Sequence, residues 1–258
     1  MIAGHFTWEQ AASYYFSDAR PGFPSSNTGG VRLANQLYAK FGLMRIQSGI
    51  SEREVAVMSQ KRRVVEAKDY KGLTFRGDGY GPLTLQEPEF QASGVMLATG
   101  DVYTALQTGV IDSCEIGNAY GNYALGIQEI TKYWSFPGMQ QLAQVGSVFA
   151  NLDLWNKLPA DLQAILQYTF TDYATRSWAF SHVESARIMP VLQQKWGIEL
   201  VRLSPECQLT WKTVSWRLAD AYAAKNAEFK EMWDSHKAHM ELLAPYEALQ
   251  AVTYPAKK

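Results

Sequence analysis

The chain has 258 residues, 47% of them hydrophobic and 13% aromatic, and its 24 Lys and Arg residues balance 25 Asp and Glu residues to a net charge of −1. This composition is typical of a globular protein, and it provides no general basic surface for nucleic acid. The densest basic run, Lys61-Arg62-Arg63, is offset by Glu66 and Asp69 and indicates a solvated face. No apolar stretch approaches the roughly 20 residues that a membrane-spanning helix needs.

The N-terminal segment and the cysteines say little about location. Residues 1–24 contain acidic and aromatic residues where a signal peptide would have a basic start and an apolar stretch, so we predict no signal peptide in them. Cys114 and Cys207 are far apart and lie in no CxxC or Cys/His pattern, so the sequence indicates neither a disulfide nor a zinc site.

The first part of the chain alternates between strand-like and helical segments. After a loop rich in Pro and Gly, a helical pattern runs from Val31 to Phe41 and stops at Gly42, a residue suited to a left-handed cap. The strand-like segments are 43–46, 55–58, 73–75, 95–97, 110–115 and 132–136, and helical patterns cover 83–90 and 101–108. This alternation predicts an α/β layer structure.

The second part of the chain is mainly helical. A long helical pattern begins at Pro159 and runs toward Trp196, and Pro190 is expected to kink or divide it. A strand at 198–203 precedes a second helical block that opens with Ser204-Pro205-Glu206 and continues into a helical C-terminal tail.

Patterns of enzyme chemistry are weak throughout. The glycines of Gly77–Gly81 are wrongly spaced for a dinucleotide loop, and no GxSxG elbow indicates a nucleophile. His236 and His239 lie on one helix face near Glu241, but charged neighbours favour an exposed surface over a metal pair. We therefore predict that the protein is not an enzyme.

Arg76 is the one residue that suggests ligand recognition without further context. It ends the strand-like run Leu73–Phe75, and a guanidinium matches a carboxylate with two parallel hydrogen bonds. An arginine after a strand is more often part of a surface ion pair, so both interpretations remain open on this evidence.

Four segments, in this order, resemble the DctP-type solute-binding subunits of TRAP transporters. They are DYKGLTFR (69–76), DVYTALQTGVIDSCE (101–115), KYWSFPG (132–138) and WNKLPADLQ (155–163). The order and spacing agree from about Tyr14 onward, and the most similar branch binds 2-oxo acids, hydroxy acids or related small carboxylates. The resemblance implies an α/β, two-lobed fold of the periplasmic-binding-protein type (type II), with long C-terminal helices.

The resemblance also implies roles for individual residues. Arg76 stands where the family has its ligand-carboxylate arginine. Glu115 and Gln141 match residues that hold a cation against the substrate in the 2-oxo-acid branch, and Glu54 falls near a third such ligand. Oxygen donors of this kind suit Na⁺ or Ca²⁺.

Further ligand-binding residues are implied at Tyr14, in the family's aromatic stretch, and at Asn118 and Tyr120. Each has a structural alternative: Tyr120 is equally typical of a packing residue, and the acidic residues of solvated or paired groups. Ile116, Met139 and Leu142 depart from the branch's pattern, so the sequence leaves the ligand's identity open.

Family members carry a signal peptide and further elements before the point that matches Tyr14, so we expect a truncated first lobe. Residues 1–26 and 115–150 would form the remnant of lobe I, residues 27–114 and 151–203 lobe II, and residues 204–258 the C-terminal helices. The implied function is periplasmic capture of a small carboxylate for TRAP membrane permease subunits, with a homodimer through the long helices. The alternative is a truncated, ligand-free oligomeric remnant of such a protein.

Overall fold

The computed structural model describes residues 7–16 and 30–250. The helices are α1 (Trp8–Phe16), α2 (Gly30–Ala39), α3 (Tyr80–Gln86), α4 (Thr99–Gln107), α5 (Ala119–Ala124), α6 (Leu152–Lys157), α7 (Ala160–Gln194), α8 (Pro205–Ala223) and α9 (Ala227–Gln250). The strands are β1 (Leu43–Ser51), β2 (Val57–Ser59), β3 (Thr74–Arg76), β4 (Ser93–Val95), β5 (Ser113–Cys114), β6 (Tyr133–Phe136), β7 (Gln144–Asn151) and β8 (Glu199–Arg202).

Element ends follow the local sequence chemistry. Gly42, just after α2, has the left-handed φ of 71° that glycine adopts without strain. The Ser204 hydroxyl accepts a hydrogen bond of 3.0 Å from the Cys207 amide, and Pro205 takes the first turn, so α8 begins where the sequence predicts. The predicted long C-terminal helices are present as α8 and α9.

Six strands form a mixed sheet in the order β4-β3-β5-β2-β6-β8, called the main sheet below. β3 runs parallel to β4 and β5, β6 runs parallel to β8, and β2 is antiparallel to both of its neighbours. The predicted α/β layering is therefore confirmed.

Helices cover both faces of the main sheet. Consecutive residues of a strand point to opposite sides, and apolar residues of these strands are buried on both sides. Met58 and Trp134 belong to a buried cluster with α4 and the end of α7, including Leu106 and Leu192. The preceding Val57 belongs to a second cluster on the other face. That cluster also contains Tyr70, Phe75, Leu85 and Phe90 and, from α8, Trp211 and Val214.

β1 and β7 pair with each other as an antiparallel ribbon, apart from the main sheet. Helices α1 and α2 pack on β1, α9 packs on α1 and α2, and α7 packs along β1. The structure therefore has two regions, the main sheet with its helices and the ribbon with α1, α2 and α9, which we call the ribbon region.

The structure differs from the sequence expectations in two elements. Pro190 lies inside α7, which runs as one helix from Ala160 to Gln194, so Pro190 does not divide the helix. β7 was not predicted, because it is polar at Gln144 and Ser147 and contains Gly146.

Strand pairing crosses the predicted boundaries between the lobes. β6 lies within 115–150, assigned to lobe I, yet it pairs with β2 and β8, both assigned to lobe II. β1, assigned to lobe II, pairs with β7, assigned to lobe I. Strand pairing is decided by contacts that are distant in sequence, so a division by consecutive segments could not find it.

Candidate ligand-binding site

Arg76 ends β3 and is only 5% exposed, which excludes the surface ion pair as its role. Its Nε and Nη2 donate to the Leu97 carbonyl oxygen at 3.0 and 2.8 Å, and its Nη1 donates to the Glu115 carbonyl oxygen at 2.6 Å. A guanidinium has five N–H groups, so these three bonds leave two for a ligand. The side chain is thus buried, fixed in direction and not fully used.

Glu115 directly follows β5, beside Arg76. Its amide donates to the Arg76 carbonyl oxygen at 2.9 Å, and its Oε1 accepts from the Asp78 amide at 2.7 Å. The residue is 3% exposed. Pairing of β3 with β5 therefore brings a guanidinium and a carboxyl group to the same end of the main sheet.

Glu54 is the second buried carboxyl group here, and it is 3% exposed. Burial raises its pKa to about 10, and the charge of Glu115 and a hydrogen bond to that side chain act in the same direction. Gln140 and Arg76 oppose the rise. The arrangement therefore favours the protonated form of Glu54.

Two oxygen atoms beside this pair have unused hydrogen-bonding capacity. Glu54 Oε2 and Gln140 Oε1 are buried and have no hydrogen-bond partner among the described residues. The Gln140 Nε2 donates to the Val55 carbonyl oxygen at 2.9 Å. Orphaned carboxyl and amide oxygens next to a second carboxylate are donors that fit a hard cation.

The cation ligand predicted at Gln141 lies one residue away from the side chain that the structure brings in. Gln141 contributes its backbone carbonyl oxygen, which accepts from the Glu54 amide at 3.3 Å, whereas the Gln140 side chain lies beside Glu54 and opposes the rise of its pKa. The sequence offered no signal to separate two adjacent glutamines.

Gly138 allows the segment that carries Gln140 to approach Glu54. Its amide donates to the Glu54 carbonyl oxygen at 2.9 Å, and a Cβ at this position would lie 2.5 Å from that oxygen. Only glycine permits this approach without a backbone shift.

Asn118 and Tyr120, predicted as ligand-binding residues, have local structural roles. The Asn118 Oδ1 caps α5 by accepting from the Gly121 amide at 2.7 Å. The Tyr120 ring packs edge-on against Phe180 at a centroid distance of 5.6 Å. Neither contact reaches Arg76, and Tyr120 follows the packing alternative.

Tyr14 is buried in the ribbon region and does not join Arg76. Its hydroxyl donates to Ser235 Oγ at 3.0 Å, and its ring lies 5.2 Å from the ring of His239. The interpretation of His236 and His239 as surface residues is also wrong, since they are 0% and 4% exposed.

A cavity of about 270 Å³ opens beside Glu54 and was not predicted. Glu52 lies at its wall and hydrogen-bonds to His182 Nδ1 at 2.9 Å and to the Ser185 hydroxyl. Phe136 and Met189 supply apolar lining. The sequence could not indicate this wall, because α7 brings His182 and Ser185 to Glu52 from more than 120 residues away.

Other candidate chemistry finds no support in the described part of the chain. Within residues 7–16 and 30–250, His, Cys, Asp and Glu side chains form no group of three or more that could hold a metal ion. Cys114 and Cys207 are both free and buried. In the same residues, no helix has the length and apolar character needed to cross a bilayer.

A family model described as "Bacterial extracellular solute-binding protein, family 7" (DctP) matches residues 14–226. A similar relative is the monocarboxylate 2-oxoacid-binding periplasmic protein of Nostoc sp., which is 24% identical over 227 residues. That alignment covers 88% of this chain and 61% of the relative, so the chain spans less than two thirds of the relative's length.

Solved structures with the same fold include a TRAP transporter solute-binding protein of Bordetella bronchiseptica with calcium and picolinate bound. It has a TM-score of 0.82 at 20% identity and covers 96% of this chain and 69% of its own. A TRAP periplasmic solute-binding protein of Pseudoalteromonas atlantica, with sodium and pyruvate bound, has a TM-score of 0.81 at 20% identity. Its alignment covers 97% of this chain and 74% of that protein. At these identities the likeness shows the fold alone, and it agrees with the predicted periplasmic-binding-protein-like architecture.

Proposed function

Because the chain belongs to bacterial extracellular solute-binding protein family 7 (DctP), we propose that it captures a small carboxylate, a 2-oxo acid or hydroxy acid, outside the cytoplasm for a TRAP-type secondary transporter. The observation that carries the proposal is the Arg76 guanidinium, which is buried, oriented by two carbonyl oxygens and left with two N–H groups. Binding and release, without covalent chemistry, is the proposed activity.

Arg76 is suited to a carboxylate because its direction is fixed before the ligand arrives. Its bonds to Leu97 and Glu115 hold the guanidinium plane, so binding orders few additional rotamers. Burial lowers the local dielectric, which strengthens a guanidinium–carboxylate pair compared with the same pair in water.

A cation would complete the site. A Na⁺ or Ca²⁺ ion held by Glu54, Glu115 and the Gln140 amide oxygen would displace the proton that the raised pKa of Glu54 favours, and it would hold the ligand's second oxygen. The two carboxylates would then exceed the charge of Arg76 by one, an excess that Na⁺ would cancel and Ca²⁺ would reverse. Relatives found with sodium and pyruvate, or with calcium and picolinate, support this arrangement.

The proposed transport role requires partners. TRAP membrane permease subunits would receive the ligand, and closure of two lobes over it would follow from a ligand-shifted open–closed equilibrium. The expected lack of part of the first lobe remains a prediction. α7 presents exposed apolar side chains that support the proposed homodimer, namely Leu162, Ile165, Tyr168, Tyr173 and Phe180.

Calorimetric titration of the full chain with pyruvate, in buffers with CaCl₂ or NaCl, tests the arginine. We expect Arg76→Met to weaken binding by at least about 100-fold, the usual result of removing one member of a buried charge pair. Arg202→Met is the matched control, because Arg202 ends a strand of the same sheet but is exposed. Equal pyruvate affinity in parent and Arg76→Met would refute the assignment.

The cation is tested with the same titration at increasing CaCl₂. Glu115→Gln is expected to abolish the calcium dependence of pyruvate binding, whereas Glu199→Gln, which changes an exposed carboxylate paired with Arg63, should preserve it.

Sedimentation with and without pyruvate distinguishes the binding protein from the competing hypothesis of a ligand-free remnant. An oligomer whose sedimentation never responds to a panel of small carboxylates supports the remnant.

A further inference from the structure

A cavity of about 490 Å³ lies in the ribbon region, distinct in its lining from the site around Arg76. Its walls come from α1, α2, the two ribbon strands and the ends of α8 and α9. Its volume is within the range of roughly 300–1,000 Å³ that small-molecule sites occupy. The lining side chains used below are Tyr15, Tyr38, Arg45, Ser147, Phe229 and Met232.

Arg45 is a buried cation at the wall of this cavity, only 6% exposed. Its Nη2 donates to Gln47 Oε1 at 2.6 Å, and its guanidinium carbon lies 5.3 Å from the centre of the Tyr15 ring. Its Nη1 is buried and has no hydrogen-bond partner among the described residues. Burial lowers the pKa of Arg45, as expected for a charge removed from water.

No carboxylate of the described residues forms an ion pair with Arg45. The acidic residue of the cavity, Glu228, lies at its rim and pairs with Lys40 at 2.5 Å. The charges of Lys40 and Glu228 therefore cancel, and the cavity has a net positive charge because of Arg45. An unpaired buried charge is costly unless an anion satisfies it.

We propose that this cavity is a second ligand site, in which Arg45 binds the carboxylate of a small organic acid with an aromatic or branched apolar body. The Arg45 guanidinium binds the carboxylate, with Ser147 and the tyrosines as neighbouring polar groups. Phe229, Met232 and the faces of the tyrosine rings enclose the apolar body.

The charge and lining define the ligand class. One buried guanidinium balances one negative charge, so a monocarboxylate fits better than a dicarboxylate or a phosphate, which would bring a second charge into the site. The aromatic and apolar wall favours a ligand larger and less polar than pyruvate. Arg76 belongs to the main sheet and Arg45 to the ribbon, so the two sites are separable by mutation.

Calorimetric titration of the full chain with phenylacetate, and with its uncharged amide as control, tests the proposal. We expect saturable phenylacetate binding that weakens at least about tenfold in Arg45→Met and is unchanged in Arg76→Met. The amide should bind at least about tenfold more weakly than the acid. Weaker binding in Arg76→Met but not in Arg45→Met would place phenylacetate at the Arg76 site and overturn the proposal. Equal loss in both variants, or no binding up to about 10 mM, would overturn it as well.

A measurement on the parent chain keeps the test valid if Arg45→Met does not fold. With methionine methyl groups labelled with ¹³C, the Met232 signal, identified with Met232→Leu, should shift saturably as phenylacetate is added. Met139, next to Gln140 of the other site, is the internal control and should not move. A shift of Met139 without a shift of Met232 would refute the second site.

Discussion

Two buried arginines show how the main sheet and the ribbon region differ. Arg76 and Arg45 are 5% and 6% exposed, so burial does not distinguish them. Arg76 donates three hydrogen bonds to two backbone carbonyl oxygens fixed by strand pairing and neighbouring loops. Arg45 donates to one glutamine side chain, lies over one tyrosine ring and keeps a buried donor without a partner.

The same side chain therefore has a different stability role in each region. In the main sheet the guanidinium satisfies acceptors that would otherwise be buried without donors, so it contributes to folding and to the proposed ligand site together. In the ribbon region the guanidinium bears a desolvation cost that only a ligand would offset, so it contributes to binding at the expense of stability.

The largest expected effect separates the two arginines by stability alone. Arg76→Met should lower the free energy of unfolding by about 3 kcal/mol, because the carbonyl oxygens of Leu97 and Glu115 lose their donors. Arg45→Met should change it by less than about 1 kcal/mol, or raise it, because an unpaired charge is replaced by an apolar chain of similar length. Urea unfolding without ligand measures both, and the reverse order would contradict the comparison.

The next largest effect is expected from replacing one glycine by alanine in each region, Gly138 near Glu54 and Gly49 in the ribbon. In Gly138→Ala the new Cβ would lie 2.5 Å from the Glu54 carbonyl oxygen, a backbone atom, so we expect a loss of about 2 kcal/mol and weaker pyruvate binding. Gly49→Ala in the ribbon is the matched control: its Cβ would lie 3.9 Å from the Gly146 Cα, an ordinary contact. Thermal unfolding should show Gly49→Ala near the parent, and comparable losses would mean that Gly138 is not uniquely constrained.

The smallest effect is a pH dependence that belongs to the ribbon region. Burial lowers the pKa of His239, whose Nε2 lies 2.8 Å from Ser13 Oγ. At this histidine the unfolded chain therefore binds more protons, so the contribution of His239 to stability should fall, by less than about 1 kcal/mol, as the pH drops below about 6.5. Urea unfolding at pH 7 and pH 5 measures this contribution as the difference between the profiles of the parent and His239→Gln, because the raised pKa of Glu54 acts on both in the opposite direction. His182→Gln, at an exposed histidine, should keep the profile of the parent, and equal profiles for parent and His239→Gln would exclude this cause.

Much of the architecture was predictable because it depends on local pattern. Short apolar runs separated by helical periods gave the α/β class, and Ser204-Pro205 predicted the start of α8. β7 was missed because a strand held mainly by its pairing with β1 needs no apolar alternation of its own. Pro190 does not divide α7, so that alternative of the prediction was wrong.

The candidate site was only partly predictable. The family resemblance selected Arg76, Glu115 and Glu54, and the structure brings these three together. It also selected Tyr14, Asn118 and Tyr120, whose described contacts lie elsewhere. His236 and His239 were predicted to be exposed because of their charged sequence neighbours, Asp234 and Lys237. Those two side chains lie on the other side of α9, where Asp234 pairs with Lys230 and Lys237 pairs with Asp220 and Asp234.

The sequence by itself determined the layered α/β class, the family and an arginine at the end of an inner strand, because periodicity, caps and motif wording depend on residues close together in the chain. Tertiary structure alone decided that Gln140 rather than Gln141 faces Glu54, that two histidines are buried, and that Arg45 lines a second cavity. These features depend on which distant side chains share a low-dielectric interior, and there burial and hydrogen-bond partners, rather than residue type, set the chemistry.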